Sequence, residues 1–147
     1  MWGYPIELPA SQPEIIEMAL NRPATASSVL GSNPPSKSND GDVNTIHHSK
    51  CNAGNPWWQV DLGVDSFVQD VIITNRKDCC GGRLRSTTVE ILDSDQNVVE
   101  TRLISGPVGN GHVVQKVFND DTSVGRYVKV FMQRQDCLHM AEVAVNG

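Results

Sequence analysis

Trp57-Trp58-Gln59-Val60-Asp61-Leu62 alternates strictly, and Trp58, Val60 and Leu62 fall on one face. A period of two with one apolar face predicts a half-buried strand. The same kind of signal recurs to both sides. Residues 22–30 are small and β-branched and predict an early strand, followed by a Gly, Asn and Pro loop over 31–36. Downstream, 68–75, 87–92, 98–104, 112–118, 126–132 and 141–146 are short runs rich in Val, Ile, Thr and Phe. Turn signals separate them at 93–97, at the glycine-rich 106–111 and at the polar 119–125. No stretch shows a helical period. About eight short strands with frequent turns predict an all-β sandwich or barrel.

The chain has 147 residues, enough for one domain with a core of its own. Charged residues make up 20% and hydrophobic ones 39%, the balance of a globular chain. A net charge of -5 argues against nucleic acid, whose phosphates need a basic surface, and says nothing against a neutral ligand. No apolar run approaches the ~20 residues of a membrane span, so no membrane insertion is expected. The opening Met1-Trp2-Gly3-Tyr4-Pro5 has neither a basic nor an apolar leader region, so no signal peptide is expected there. Residues 1–20 mix prolines with a short apolar stretch, a lead-in expected to join the sheet near its end.

Four cysteines, Cys51, Cys79, Cys80 and Cys137, can pair in three ways. We favour Cys79–Cys80 with Cys51–Cys137, because the other two pairings tie each of two adjacent cysteines to a distant partner. No Cys-x-x-Cys points to zinc. Paired cysteines place the protein in an oxidising, extracellular setting.

Arg76-Lys77-Asp78-Cys79-Cys80-Gly81-Gly82-Arg83 leaves the strand at 68–75 directly, so a rigid element can hold its donors. Two guanidinium forks can converge on the oxygens of one polar ligand. Asp78 is close enough to pair with either arginine and fix its rotamer. Gly81 and Gly82 allow a sharp turn and a close backbone approach to a ligand. A disulfide between neighbouring cysteines would be rigid and present a flat sulfur surface. Such a loop suits gripping a hydroxyl-rich molecule. An exposed loop with two solvated arginines and two free thiols is the plainer alternative.

Lys37-Ser38-Asn39-Asp40-Gly41-Asp42-Val43-Asn44 gathers oxygen donors around one glycine, as a hard cation such as calcium requires. It does not follow the EF-hand spacing, and on its own a solvated turn is the commoner meaning.

Arg76-x-Asp78-Cys79-Cys80-x-x-Arg83, preceded by Asn55-Pro56-Trp57-Trp58-x-Val60-Asp61-Leu62, resembles the F-type lectins, the fucose-binding lectins of animals and some bacteria. Arg22-Pro23-Ala24-Thr25-Ala26-Ser27-Ser28, Asp40-Gly41, Gly125-Arg126-Tyr127-Val128 and Glu142-Val143-Ala144-Val145 fit as well. The likeness covers residues 18–147 and leaves 1–17 as a lead-in. It implies a jelly-roll β-sandwich of the discoidin-like, galactose-binding-domain-like type. It implies that Arg76 and Arg83 donate to oxygens of α-L-fucose while the Cys79–Cys80 disulfide packs on an apolar edge of the ring, with Asp78 between them. It implies a structural calcium held by oxygens of Lys37, Asp40, Asp42, Ser49, Ala141 and Glu142. Secretion, fucosylated glycans as partners, and roles in innate immunity or cell recognition come with the family.

The chain departs from the family pattern in two places. The family's site histidine falls here on Ser49, and the loop 49–54 is shorter than usual. His48, one residue away, is the choice, with His47 and Asn52 as alternatives. Cys137 lies four residues before Ala141, where many members carry their cysteine. Leu30 and either Ile46 or His47 are candidates for contact with the fucose methyl.

The expected action is binding without turnover. Charge-assisted bonds fix the hydroxyls, and galactose, with a hydroxymethyl in place of the methyl, should bind worse. One monosaccharide contributes few atoms, so useful strength would come from a homo-oligomer or tandem domains. A glycosidase would need two carboxylates about 5–10 Å apart, and Asp78 between arginines would be too acidic for a general acid. A discoidin-like adhesion module for another glycan, a protein or a lipid surface is the alternative class.

Overall fold

The alternating strand at Trp57 is the hub of the architecture. The computed structural model describes residues 14–147, so most of the lead-in expected over 1–17 lies outside the described residues. In chain order the strands are β1 (Ala24–Ala26), β2 (His47–His48), β3 (Trp57–Phe67), β4 (Asp70–Thr74), β5 (Thr87–Leu92), β6 (Val98–Ile104), β7 (Val113–Val117), β8 (Val124–Met132), β9 (His139–Met140) and β10 (Glu142–Asn146). They form a five-stranded sheet, β1-β3-β8-β5-β6, a three-stranded sheet, β10-β4-β7, and a β2-β9 ribbon. Every pairing is antiparallel. The helical content of the described residues is two short 3-10 turns, Pro35–Ser38 and Gly81–Arg83. This is the expected all-β, jelly-roll sandwich of discoidin-like type.

The core lies between the two larger sheets. Trp58, Val60 and Leu62 of β3, Val128, Val130 and Met132 of β8, and Val89 and Ile91 of β5 form one buried cluster with Val71, Ile73, Val143 and Val145 of the smaller sheet. Burying each such side chain stabilises the fold by about 1.5–3 kcal/mol. Trp58 is fully buried and donates its indole N–H to the Pro35 carbonyl at 2.9 Å, tying the first 3-10 turn to the core.

Among the described residues, ten strands replace the expected eight. The extra pair is the ribbon, two residues on each side, with His47 opposite Met140 and His48 opposite His139. Two residues are too few to show a period, so nothing in the sequence marks them. The first expected strand shrinks from 22–30 to Ala24–Ala26, because Ser27 turns to exchange hydrogen bonds with the Trp57 backbone. β3 runs on to Phe67 through an irregularity between Asp61 and Ser66. The described end of the lead-in does join the sheet: Ile16 N–H donates to the Gly147 carbonyl at 3.0 Å and Met18 N–H to the Val145 carbonyl at 2.7 Å.

Candidate functional site

The Arg76–Arg83 loop is anchored by the residue before it. Asn75 is fully buried, and its amide donates among the carbonyls of Gly81 (3.0 Å), Val108 (3.2 Å) and Gly109 (3.1 Å). Its Oδ1 accepts the Arg76 N–H at 2.9 Å. Gly81 N–H donates to Asn110 Oδ1 at 2.7 Å, and a Cβ on Gly81 would sit 2.6 Å from that oxygen. The glycine therefore serves docking against the 106–111 loop, not approach to a ligand. The left-handed turn falls on Cys80, φ 64°, and not on either glycine. Both favoured disulfides, Cys79–Cys80 and Cys51–Cys137, are formed.

Asp78 pairs with one arginine only. Arg76 Nε donates to Asp78 Oδ1 at 2.7 Å and Nη2 to Oδ2 at 3.2 Å, a two-pronged grip that fixes the guanidinium. The hydrogen bond from Arg76 lowers the Asp78 carboxyl to about 2, although its side chain is 68% exposed. Arg83 faces a different carboxylate, Asp136, with Nε 4.0 Å from Oδ1. Arg134 clamps this region, donating to the carbonyls of Arg83 and Arg85, both at 2.5 Å, and to Asp136 Oδ2 at 2.6 Å. Burial pushes the Asp136 carboxyl up, but the bonds from Arg134 and the Cys137 N–H prevail and leave it below its ordinary value.

The β2-β9 ribbon brings the histidines in from the side. His48 Nδ1 lies 2.6 Å from the Ser49 carbonyl. A carbonyl only accepts, so Nδ1 carries the proton and Nε2 is left as an acceptor. Directly opposite, the His139 ring lies 5.0 Å from that of His48, tilted by 36°. Burial, then the charges of Arg76 and Arg83, hold the His48 pKa below its ordinary value. Burial, then His48 and the same arginines, lower His139 to about 4. His48 and His139 thus face each other, and both rings feel the charges of Arg76 and Arg83. The sulfurs of Cys51 and Cys137 lie within 4.8 Å of a His48 ring nitrogen; bonded to each other, they pack against it and are not thiolate ligands.

Of the two alternatives to His48, one is ruled out. His47 points to the other face of the ribbon, is fully buried and donates to the Asn33 carbonyl at 3.0 Å, so it can touch neither a ligand nor its methyl group. Asn52 is exposed, its main-chain carbonyl accepts from Gln135 Nε2, and its side chain stays an alternative beside Cys51. Leu30 is 44% exposed and donates its N–H to the His48 carbonyl. Ile46 lines a hollow with Val43, Asn44, Lys77 and Asp78. Leu30 is thus tied to the His48 backbone and Ile46 neighbours Lys77 and Asp78.

The oxygen-rich segment makes a second cluster. The Lys37 carbonyl, Asp40 Oδ2 and the Asp42 carbonyl lie 3.4, 3.0 and 3.1 Å from Thr45 Oγ1. One hydroxyl proton cannot serve three acceptors. Glu142, at the start of β10, has a buried Oε2 with no hydrogen-bond partner among the described residues. Burial, opposed by a bond from Gly41 N–H and reinforced by the Asp40 charge, raises its carboxyl to about 7. Converging oxygens around an unpartnered carboxylate suit a hard cation. Asp42 turns its carbonyl inward, while its Oδ1 accepts from Asn44 N–H. Ala141 precedes Glu142, and Ser38 Oγ staples the turn to the neighbouring Met140 carbonyl at 2.8 Å.

Ser49 does not join this cluster. Its hydroxyl accepts from Leu138 N–H at 2.8 Å and donates to the Lys50 carbonyl, and its carbonyl accepts from His48 Nδ1, so both oxygens are used on the ribbon. The hydroxyl of the cluster is Thr45. The sequence reading missed Thr45, Arg134, Asp136 and His139. One signal was present: Arg134-x-Asp136-Cys137 repeats the spelling Arg76-x-Asp78-Cys79.

Residues 23–143 match the F5/8 type C domain family. Fucolectin-4 of Anguilla japonica is 34% identical over 112 residues, spanning 69% of this chain and 59% of that protein. The fucolectin of Anguilla anguilla is 34% identical, spanning 69% of this chain and 68% of that protein. The chain thus spans about 60% of the length of several of the fucolectins that it matches. Among solved structures, a fucose binding module of Streptococcus pneumoniae superposes with a TM-score of 0.80 at 28% identity, covering 92% of this chain and 98% of that one. The lectin domain of lectinolysin complexed with Lewis B antigen gives 0.81 at 28% identity, covering 88% and 95%. By its matched residues, its relatives and its sandwich, the chain belongs to the F5/8 type C domain family, among the fucolectins or F-type lectins.

Proposed function

We propose that this chain is a secreted lectin domain that binds terminal L-fucose on glycans, or free L-fucose, without turning it over. What supports the reading is that His48, carried in on the ribbon, feels the charges of Arg76 and Arg83, the two arginines that flank the Cys79–Cys80 disulfide in the loop. Arg76 keeps guanidinium N–H groups that Asp78 does not use, and Arg83 makes no close pair, so both can donate to sugar oxygens. His48 Nε2 can accept a hydroxyl proton. Leu30, Ile46 and the disulfide can cover the methyl and C–H side. The fucose-binding module and the Lewis B complex among the similar structures support a fucosylated ligand.

We further propose that Lys37, Asp40, Asp42, Thr45, Ala141 and Glu142 hold a structural calcium ion. Bound there, calcium would neutralise the clustered oxygens and fasten the 37–45 loop to β10. Lys77 Nζ bonds Asn44 Oδ1, so that loop is also tied to the residue after Arg76.

Calorimetric titration with L-fucose tests the reading, on the wild type and on Arg76→Ala. Saturable heat that disappears in the variant, with D-galactose much weaker, supports it. A folded, calcium-loaded wild type that gives no heat with fucose overturns it and sends the search for a ligand to a glycan array.

A further inference from the structure

His139 has chemistry that the fucose reading above does not use. It is 2% exposed, and neither ring nitrogen has a hydrogen-bond partner among the described residues. A neutral imidazole carries one donor and one acceptor, and buried polar atoms in native proteins are almost always paired. An apolar ring would fill the same space without that penalty. The unpaired nitrogens therefore need a partner that arrives later.

The register shows where that partner would come from. His139 stands directly opposite His48 in the antiparallel ribbon, and such a pair projects to the same face. The other pair of the ribbon, His47 and Met140, projects to the opposite face and is fully buried. The groups acting on the His139 ring are His48, Arg76, Arg83 and Asp136, which surround the sugar site already described. The two guanidiniums bring donors only; an imidazole in their midst adds an acceptor as well as a donor.

We propose that His139 is a second histidine of the sugar site, a specificity-determining residue that reads one hydroxyl of the ligand from the pocket floor through a single trapped water. The water pairs one of the two ring nitrogens on one side and the hydroxyl on the other. This inference rests on the fucose reading above and adds to it which side chain checks a particular hydroxyl.

The test pairs one variant with a set of sugars. L-Fucose and its 2-, 3- and 4-deoxy analogues are titrated against the wild type and against His139→Phe, which keeps a flat ring and removes both nitrogens. The expected result is roughly tenfold weaker fucose binding by the variant, with the penalty for one particular missing hydroxyl present in the wild type and absent in the variant. Equal fucose affinity in the two proteins overturns the proposal. So does a uniform loss across all four sugars, which would make His139 a packing residue. His139→Asn, which restores a polar floor, should recover part of the lost discrimination if the variant with Phe folds poorly. A wild type that binds none of the sugars would sink the fucose reading itself, an outcome distinct from either of these.

Discussion

Arg134 holds the backbone of Arg83: its Nη2 lies 2.5 Å from the Arg83 carbonyl and 2.6 Å from Asp136 Oδ2. The candidate sugar-binding arginine is thus positioned by another arginine that need not touch ligand. Arg134→Ala removes charge-assisted bonds to two carbonyls and a carboxylate and should destabilise the fold by about 1–3 kcal/mol. It should also weaken fucose binding several-fold, because Arg83 would lose its fixed origin. Thermal unfolding and calorimetric titration separate the two effects; a lowered Tm with unchanged affinity would confine Arg134 to stability.

Arg76→Lys should keep the charge and lose the fork, weakening fucose about tenfold. The Arg76–Asp78 pair also has a defined pH window. Asp78 has a depressed carboxyl, so the pair's contribution is present above the ordinary carboxylate range and is lost only as pH falls through about 2. An NMR titration of the Asp78 carboxyl should show no inflection between pH 7 and its depressed value, and Arg76→Ala should return it to near about 3.9.

Thr45→Val should abolish most of the Tm rise that calcium gives the chelated protein, with calcium affinity down about tenfold or more. Ser49→Ala is the contrasting variant, expected to lower the Tm by loosening the ribbon while leaving calcium affinity unchanged. A reversed pattern would restore Ser49 to the cation site.

Glu142 has the opposite sign from Asp78. Its folded carboxyl is raised from 4.5 to about 7, so the folded state holds that proton more tightly than the unfolded chain does. The chelated protein should therefore lose stability as pH rises through this interval, and the loss should be complete above it. Calcium needs the ionised form and should cancel the decline. Melting curves between pH 5 and 8, with chelator and with calcium, check both statements.

Cys51 and Cys137 close a loop with a sequence separation of 86. Replacing both by serine should cost about 2–5 kcal/mol in stability, measured by denaturant unfolding. Fucose affinity should fall as well, since the bridge packs against His48.

The strands at 87–92 and 98–104 match the sequence expectation residue for residue, because each is long enough for its period and is bounded by turn residues. The arginine, aspartate and cysteine loop was equally legible, since its groups are adjacent in the chain. The ribbon was not, and neither were the groups that it carries. His48 and His139 are far apart in the chain and become neighbours only through a pairing of two residues on each side. Thr45 looked like an ordinary loop residue, while Ser49 had the position the family pattern favours. Only the direction of each hydroxyl distinguishes them: Thr45 towards Asp40, Ser49 towards Leu138.

By itself, then, the sequence determined the all-β class, the strands of the core and the loop with Arg76, Asp78, the vicinal cysteines and Arg83. Those features depend on side-chain period and on residues a few positions apart, and both are written along one dimension. The tertiary structure alone decided that Arg83 answers to Asp136 and not Asp78, that Thr45 completes the oxygen cluster, and that His139 lies beside His48. Those depend on which distant strands hydrogen-bond and in what register, and the burial of a whole face, not any local pattern, selects that register.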